Sequence, residues 1–386
     1  MTNSLSTDLL RASCHRKELY DGIQTVARAV PARSSLPILT HIRITAGNGR
    51  LTLTGTDLEL WIEYALPTAL IMNDGAATAP ARNFTDLLGA MPDADVSLSV
   101  EDERGVLQLK CNRANYTLNG LPAAEYPLLP QVVDDTHFVM DRGVLRDAIK
   151  QTIFAVSSDE TRVILTGILL VYQGDVVKLV ATDTHRLALR ECLVKEGEGS
   201  ASAIIPHRAM SELQRIIGNE EGEVLVTLSG NQVQFQVHDK NGVTTTLISR
   251  LIDGQFPNFE RVIPKESTRT LILQRDLFAA AVRRASVVAR DSSNRIVLKT
   301  SDDGERLIIT AQSGNVGDAY EEVEIARSGD DSPLQIAFNS RYLSDLLNNL
   351  DSEGLRFELT EPLRPGVIKP TGDPMYLCVL MPMQVV

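Results

Sequence analysis

The chain repeats itself three times at constant offsets, and this constrains its fold more than any single motif. A shift of 126 positions carries Asp21 onto Asp147, Val30 onto Val156, Thr56-Asp57 onto Thr182-Asp183 and Pro80-x-Arg82 onto Pro206-x-Arg208. A shift of 259 carries Ile23 onto Val282 and Asp86-Leu87-Leu88 onto Asp345-Leu346-Leu347. Near the end of each unit an apolar residue precedes proline: Tyr126-Pro127, Phe256-Pro257 and Met381-Pro382. One insertion inside a unit would break such an offset, so the 386 residues read as three copies of one module, at 1–130, 131–264 and 265–386. Each has a common domain size, and bodies built of repeats bind along a surface rather than enclose one catalytic cleft.

Within a module the pattern is helix, strands, helix, strands. Leu19, Ile23, Val26 and Val30 share one face of a helix over Lys17 to Val30, with counterparts from Val144 to Val156 and from Leu277 to Val288. Second helices are expected from Arg82, His207 and Ser340, with Ser340 as an N-cap and Leu343, Leu346 and Leu347 as the buried stripe. Strands are expected over His41–Ala46, Leu51–Leu53, Ile168–Tyr172, Val176–Ala181, Ile296–Lys299 and Leu307–Thr310, separated by turns such as Asn48-Gly49 and Gln173-Gly174. The fold class is therefore α+β: three repeated modules, each with two helices laid over antiparallel sheet.

Several function classes find no support in the residues. No apolar run approaches the roughly 20 residues a membrane span needs. The N-terminus lacks the basic start and apolar centre of a secretion signal, and its first ten or so residues read as a polar extension. Cys14, Cys111, Cys192 and Cys378 have no close neighbours among themselves, which fits neither a zinc framework nor a disulfide pattern and points to a reducing compartment. The six histidines are equally scattered, so no metal or other cofactor is expected. There is no G-x-S-x-G, no Walker-type glycine loop and no His/Cys cluster, hence no enzyme signature.

The net charge of −12 argues against nucleic acid when taken alone. Its distribution is uneven: the six helical segments with their flanks are together net positive, so the rest is more acidic than the whole. Acidic sheets beside mildly basic helices suggest one surface for a polyanion and another that repels it. Helix faces also carry Lys and Arg merely for solubility, and that reading stays open on charge alone.

The segments SSLPIL (34–39), TGTDLEL (54–60), ATDTHRLAL (181–189), FPNFERVIP (256–264) and the ending MPMQVV (381–386) resemble the bacterial DNA polymerase III beta subunit family, the sliding clamps. The resemblance runs from about residue 15 to the C-terminus and makes the three modules the N-terminal, central and C-terminal clamp domains. It implies a cytoplasmic, non-catalytic processivity factor that closes as a head-to-tail homodimer around double-stranded DNA, helices lining the hole and sheets outside. It also implies partners that bind through short linear motifs: the polymerase III alpha subunit, the clamp loader, other polymerases and repair proteins. Two alternatives stay open from the sequence: a second clamp copy with a special role, such as tolerance to a clamp-binding inhibitor, and a three-repeat scaffold without DNA.

The resemblance also assigns residues. A peptide pocket between the second and third modules is expected from Leu165, Thr182, His185, Arg186, Leu187, Pro257, Arg261, Val262, Val379, Leu380, Met381, Pro382 and Met383. The apolar chain end supports this independently, because Leu, Met and Pro side chains at an exposed terminus need something to pack into, and Met adapts to varied partners. Asp183-x-His185 would share a strand face, which leaves a catalytic pair conceivable, but no nucleophile or metal ligand stands beside it. A sequence-independent DNA track is expected from Arg33, Arg82, its repeat mate Arg208, Arg162, Arg283 and Arg284, since phosphate contacts orient without reading bases. Tyr116 and Leu118 of the first module and Val287 and Val288 of the third are expected at the dimer interface, unless they are core residues. Asp159, Val163, Ile164, Gly89 and Gln384 depart from the family's more usual residues and put individual DNA contacts in doubt.

Overall fold

The computed structural model describes residues 10–100, 105–133 and 136–385, so the N-terminal extension lies essentially outside the described residues. Among the described residues are six α-helices, two in each module: α1 (Arg16–Val26) and α2 (Ala81–Ala90), α3 (Arg142–Ile153) and α4 (His207–Ile217), and α5 (Arg275–Ala289) and α6 (Ser340–Asn348). Their buried faces follow the helical period: Leu19, Gly22, Ile23 and Val26 on α1, and Phe278, Ala281, Val282, Ala285 and Ala289 on α5. All strand pairs are antiparallel, and the α+β reading holds.

Three local expectations are corrected, the simplest being that the helix expected to reach Val156 ends at Ile153. The first helix was expected to reach Val30, but α1 stops at Val26 and tightens into a 3₁₀ turn over Ala27–Ala29. At that point the strand of Gly55 comes so close that a Cβ on Gly55 would lie 2.2 Å from the Val26 carbonyl oxygen, so only glycine fits. Ser340 is the first helical residue rather than the cap. Asn339 caps α6, its side chain accepting from the Arg341 N–H at 2.9 Å.

The sheets do not respect the module boundaries. One compact unit gathers the chain up to Gly143 with Val194–Gly199 and Ser211–Leu251; the other gathers Val144–Leu193, Ser200–Met210 and the chain from Ile252 onward. The first unit holds a five-stranded sheet in the order Leu70–Asn73, Leu10–His15, Asp95–Val100, Val106–Cys111, Ala114–Asn119. It also holds a nine-stranded sheet in which Thr244–Arg250 of the central module pairs with Leu60–Leu66 of the first, from Thr244 opposite Ala65 to Ser249 opposite Leu60. The second unit holds another nine-stranded sheet, joined where Arg186–Leu193 of the central module pairs with Tyr376–Leu380 of the third. A four-stranded sheet completes it, in the order Gly317–Glu324, Arg306–Ser313, Arg295–Thr300, Gln335–Asn339. The core of the third module packs α5 and α6 on these sheets through Phe278, Phe338, Leu346, Leu347 and Phe357.

Candidate functional site: a cleft at a sheet joint

The cleft grows out of a turn that the repeat specifies. In the central module Thr182 Oγ1 donates to the Arg186 carbonyl at 2.6 Å and accepts from the Thr184 N–H at 3.1 Å. Asp183 Oδ1 accepts from the His185 and Arg186 N–H groups, each at 2.9 Å. Thr184 is thereby held at a φ of 79°, rare for a β-branched residue. The first module builds the same turn from Thr56, Asp57 and Leu58, the last at a φ of 78°. The repeated Thr-Asp pair is thus a turn device, and Asp183 is engaged in it.

Just beyond the turn, Arg186 is buried and neutralised. Its Nε donates to Asp183 Oδ2 at 3.0 Å and its Nη1 to Asp345 Oδ2 at 2.7 Å. The guanidinium lies over the rings of Tyr342 at 4.5 Å and Phe154 at 5.4 Å. Burial pushes the Tyr342 phenol up, and the Asp183 carboxylate adds to the shift. With its charge matched, Arg186 contributes to a wall that is mostly apolar.

That wall encloses a cleft of about 130 Å³. Thr182, Arg186, Leu187, Pro257, Val262, Val379 and Met381, all among the residues the resemblance assigned to a peptide pocket, line it. Thr184, Asn258 and Phe259 line it as well and were missed; the apolar Phe256-Pro257-x-Phe259 pattern was the available signal for the last. Leu165 lies in the apolar cluster with Leu187, Phe256 and Val379. The remaining expected residues are placed beside the cleft. The His185 ring stacks on Tyr342 at 6.2 Å, Arg261 is exposed, and Leu380 is buried in the third module's core. Pro382 is half-buried, and Met383 is drawn away from the cleft by its N–H, which donates to the Ala337 carbonyl at 2.7 Å. Near the chain end the Met381 N–H donates to the His185 carbonyl at 2.9 Å.

The basic residues fall into two groups. The Arg82 side chain is 93% exposed, 3.9 Å from Asp86, and helps line a groove of about 470 Å³ between the end of α1 and the start of α2, with Ala32 and Asn83. Arg33 and Arg283 are exposed, and Arg208 opens α4. Arg162 instead pairs with Asp159 at 2.8 Å and reaches Thr184 Oγ1 at 3.2 Å. Arg284 makes a two-pronged pair with Glu321, at 2.7 and 2.6 Å. Tyr116 and Leu118 are half-buried on the outermost strand of the five-stranded sheet. Val287 is 56% exposed, while Val288 packs against the third module's core. Among the described residues no group of three or more His, Cys, Asp or Glu side chains is placed to hold a metal ion, and all four cysteines are free and buried. No helix among them is long and apolar enough to cross a membrane.

Three α+β modules joined through shared sheets, with a mostly apolar cleft at one joint, form a chain with a surface built to receive a ligand. Family models for the N-terminal, central and C-terminal domains of the DNA polymerase III beta subunit match residues 10–130, 139–258 and 260–384. The beta sliding clamp of Staphylococcus aureus is 34% identical over 365 residues, covering 92% of this chain and 94% of that protein. The Staphylococcus epidermidis clamp is 31% identical over 383 residues, covering 97% and 100%. Among solved structures, the DNA polymerase sliding clamp of Bacillus subtilis matches with a TM-score of 0.91 and 30% identity over 98% of this chain and 100% of that one. A Pseudomonas aeruginosa sliding clamp solved bound to griselimycin matches with a TM-score of 0.89 and 29% identity, over 97% and 100%. The chain belongs to the DNA polymerase III beta subunit family, the bacterial sliding clamps. It is a non-catalytic processivity clamp, and the scaffold and special-copy alternatives gain no support.

Proposed function

We propose that two copies of this chain close head to tail into a ring around duplex DNA in the bacterial cytoplasm, and that each copy offers its cleft to short peptide motifs. The cleft carries the second half of this reading. It is small, mostly apolar and walled by side chains held rigid by the Thr-Asp turn and by the sandwiched Arg186, which suits an extended segment burying a few large anchors. Its occupants are motifs of the polymerase III alpha subunit, the clamp loader, other polymerases and repair proteins. Exposed Arg33, Arg82 and Arg283, with Arg208, are the proposed phosphate contacts. Arg162 and Arg284, held by Asp159 at 2.8 Å and by Glu321 at 2.7 and 2.6 Å, contribute less.

Deleting Met381 to Val386 tests the cleft. It removes Met381 from the wall but leaves the buried Val379 and Leu380 in place. The truncated protein is expected to stay folded and dimeric while losing affinity for a peptide carrying a Gln and Leu/Phe anchors, measured by calorimetry. Unchanged peptide affinity would place the partner site elsewhere.

A further inference from the structure

The first module carries a counterpart of the cleft whose chemistry is reversed. In the central module, cross-strand pairing sets Leu169, Val180, Leu189 and Leu377 side by side in one row. The residues 126 positions earlier, Arg43, Thr54 and Glu63, form the same row in the first module, continued by Thr246. Two residues along, the Thr182–Leu187–Val379 row of the cleft corresponds to Thr56–Trp61–Ile248. The buried Trp61 fills that place, so the apolar cleft has no twin here. The linkers correspond too: Pro257 and Phe259 edge the cleft, and Pro127 and Leu129 edge an open groove of about 340 Å³ on the first module's sheet.

That groove is floored by Thr45, Thr52 and Thr54 and carries Arg43, Arg50 and Glu63. Both guanidiniums act on the half-buried Glu63, whose carboxyl burial pushes up. Arg43 Nε is buried and donates to no described residue. Two cations around one carboxylate leave an excess positive charge and an unused N–H donor on a chain whose net charge is −12. We propose that this groove is a second ligand site, which takes an acidic peptide segment whose carboxylate bonds Arg43 and Arg50 over the threonine floor. The net charge of −12 gives such a segment no general attraction to the protein, so its binding here rests on local contacts.

The probe is a fluorescent hexaglutamate peptide, with hexaglutamine as its control, followed by anisotropy at low ionic strength on the full-length protein. Hexaglutamate is expected to bind and hexaglutamine not. Arg43→Gln with Arg50→Gln is expected to weaken binding by about tenfold or more, because charge-assisted hydrogen bonds are lost. Glu63→Gln is expected to tighten it by removing the competing carboxylate, an effect that damaged folding does not produce. Deleting Met381 to Val386 is expected to change nothing, which separates this site from the cleft. Equal binding of the two peptides, indifference to the arginine substitutions, weakening by Glu63→Gln, or loss on the truncation would each overturn the proposal.

Discussion

At the scale of single residues, the repeat holds a further triplet that sequence reading passed over. Arg16, Arg142 and Arg275 stand at the same offsets as the other repeat mates and open α1, α3 and α5. Each donates its backbone N–H to the loop following its module's second helix, at the carbonyls of Ala94, Gly222 and Glu353. The side chains reach the same region: Arg16 to Asp93, Arg275 to the Ser352 carbonyl, and Arg142 to the Ile217 carbonyl at the end of α4. Only Arg142 is fully buried. Arg142→Ala is therefore expected to cost roughly 1–3 kcal/mol by stranding the last carbonyls of α4. Arg16→Ala, which loses a pair with an exposed aspartate, is expected to cost less than about 1 kcal/mol. Thermal midpoints of the two variants, with hydrogen exchange along the last turn of α4, check this.

The same scale sets a pH dependence. Burial lowers the pKa of His41 and of His207 below the ordinary value near 6.5. The unfolded chain then binds protons more readily than the folded one below that value. The stability these groups contribute is complete above about pH 6.5 and is lost as pH falls through their lowered folded values. The thermal midpoint is expected to drop between pH 7.5 and 5.5, and replacing both histidines by Asn should flatten the decline. A midpoint that rises over this range would reverse the sign of the argument.

At the scale of elements, helices were legible because an apolar stripe with a 3.6-residue period states both the element and its buried face. The offsets then located all three pairs at once. Strand partners were not legible. The apolar pattern of Leu60–Leu66 says which side chains are buried but not that Thr244–Arg250 supplies the next strand, some 180 residues away. The cleft was partly legible for the same reason. Its floor lies on strands marked by Thr182 and Leu187, whereas Asn258 and Phe259 come from a connection whose course no periodicity fixes.

Edge strands carry the element-level prediction. Ala114–Asn119 closes one side of the five-stranded sheet, and Gly317–Glu324 closes one side of the four-stranded sheet with Tyr320 62% exposed. Among the described residues both are edge strands, the kind of element that can add a strand from another chain. Tyr116→Asp with Leu118→Asp is expected to split the proposed dimer, because a charge buried at an interface without a partner costs about 3–5 kcal/mol. Light scattering that still reports a dimer would remove these residues from the interface.

At the scale of the whole molecule, DNA retention is expected to depend on topology and salt rather than on base sequence. Loaded protein should remain on circular duplex and run off linear duplex, while its weak direct affinity falls steeply as salt rises, as the proposed phosphate contacts require. Arg33→Ala with Arg82→Ala should reduce retention and leave the dimer intact. A base-sequence preference in direct binding would contradict this. The uneven charge suggested such a surface in sequence without deciding between it and solubility. Individual contacts were not legible, because an exposed arginine such as Arg283 and a paired one such as Arg284 look alike until Glu321 is seen beside the second.

The joint between Leu60–Leu66 and Thr244–Arg250 has a consequence for how the chain is made. A ribosome delivers the first of these strands long before the second. At about 5–20 residues per second, the first module waits on the order of ten seconds or more with that edge bare, and with Trp61 and Ile62 among its side chains. The nascent N-terminal module is thus the stage most exposed to wrong pairing with a neighbouring nascent copy. Slowing translation within the central module should raise aggregation of newly made protein without altering the stability of the finished one.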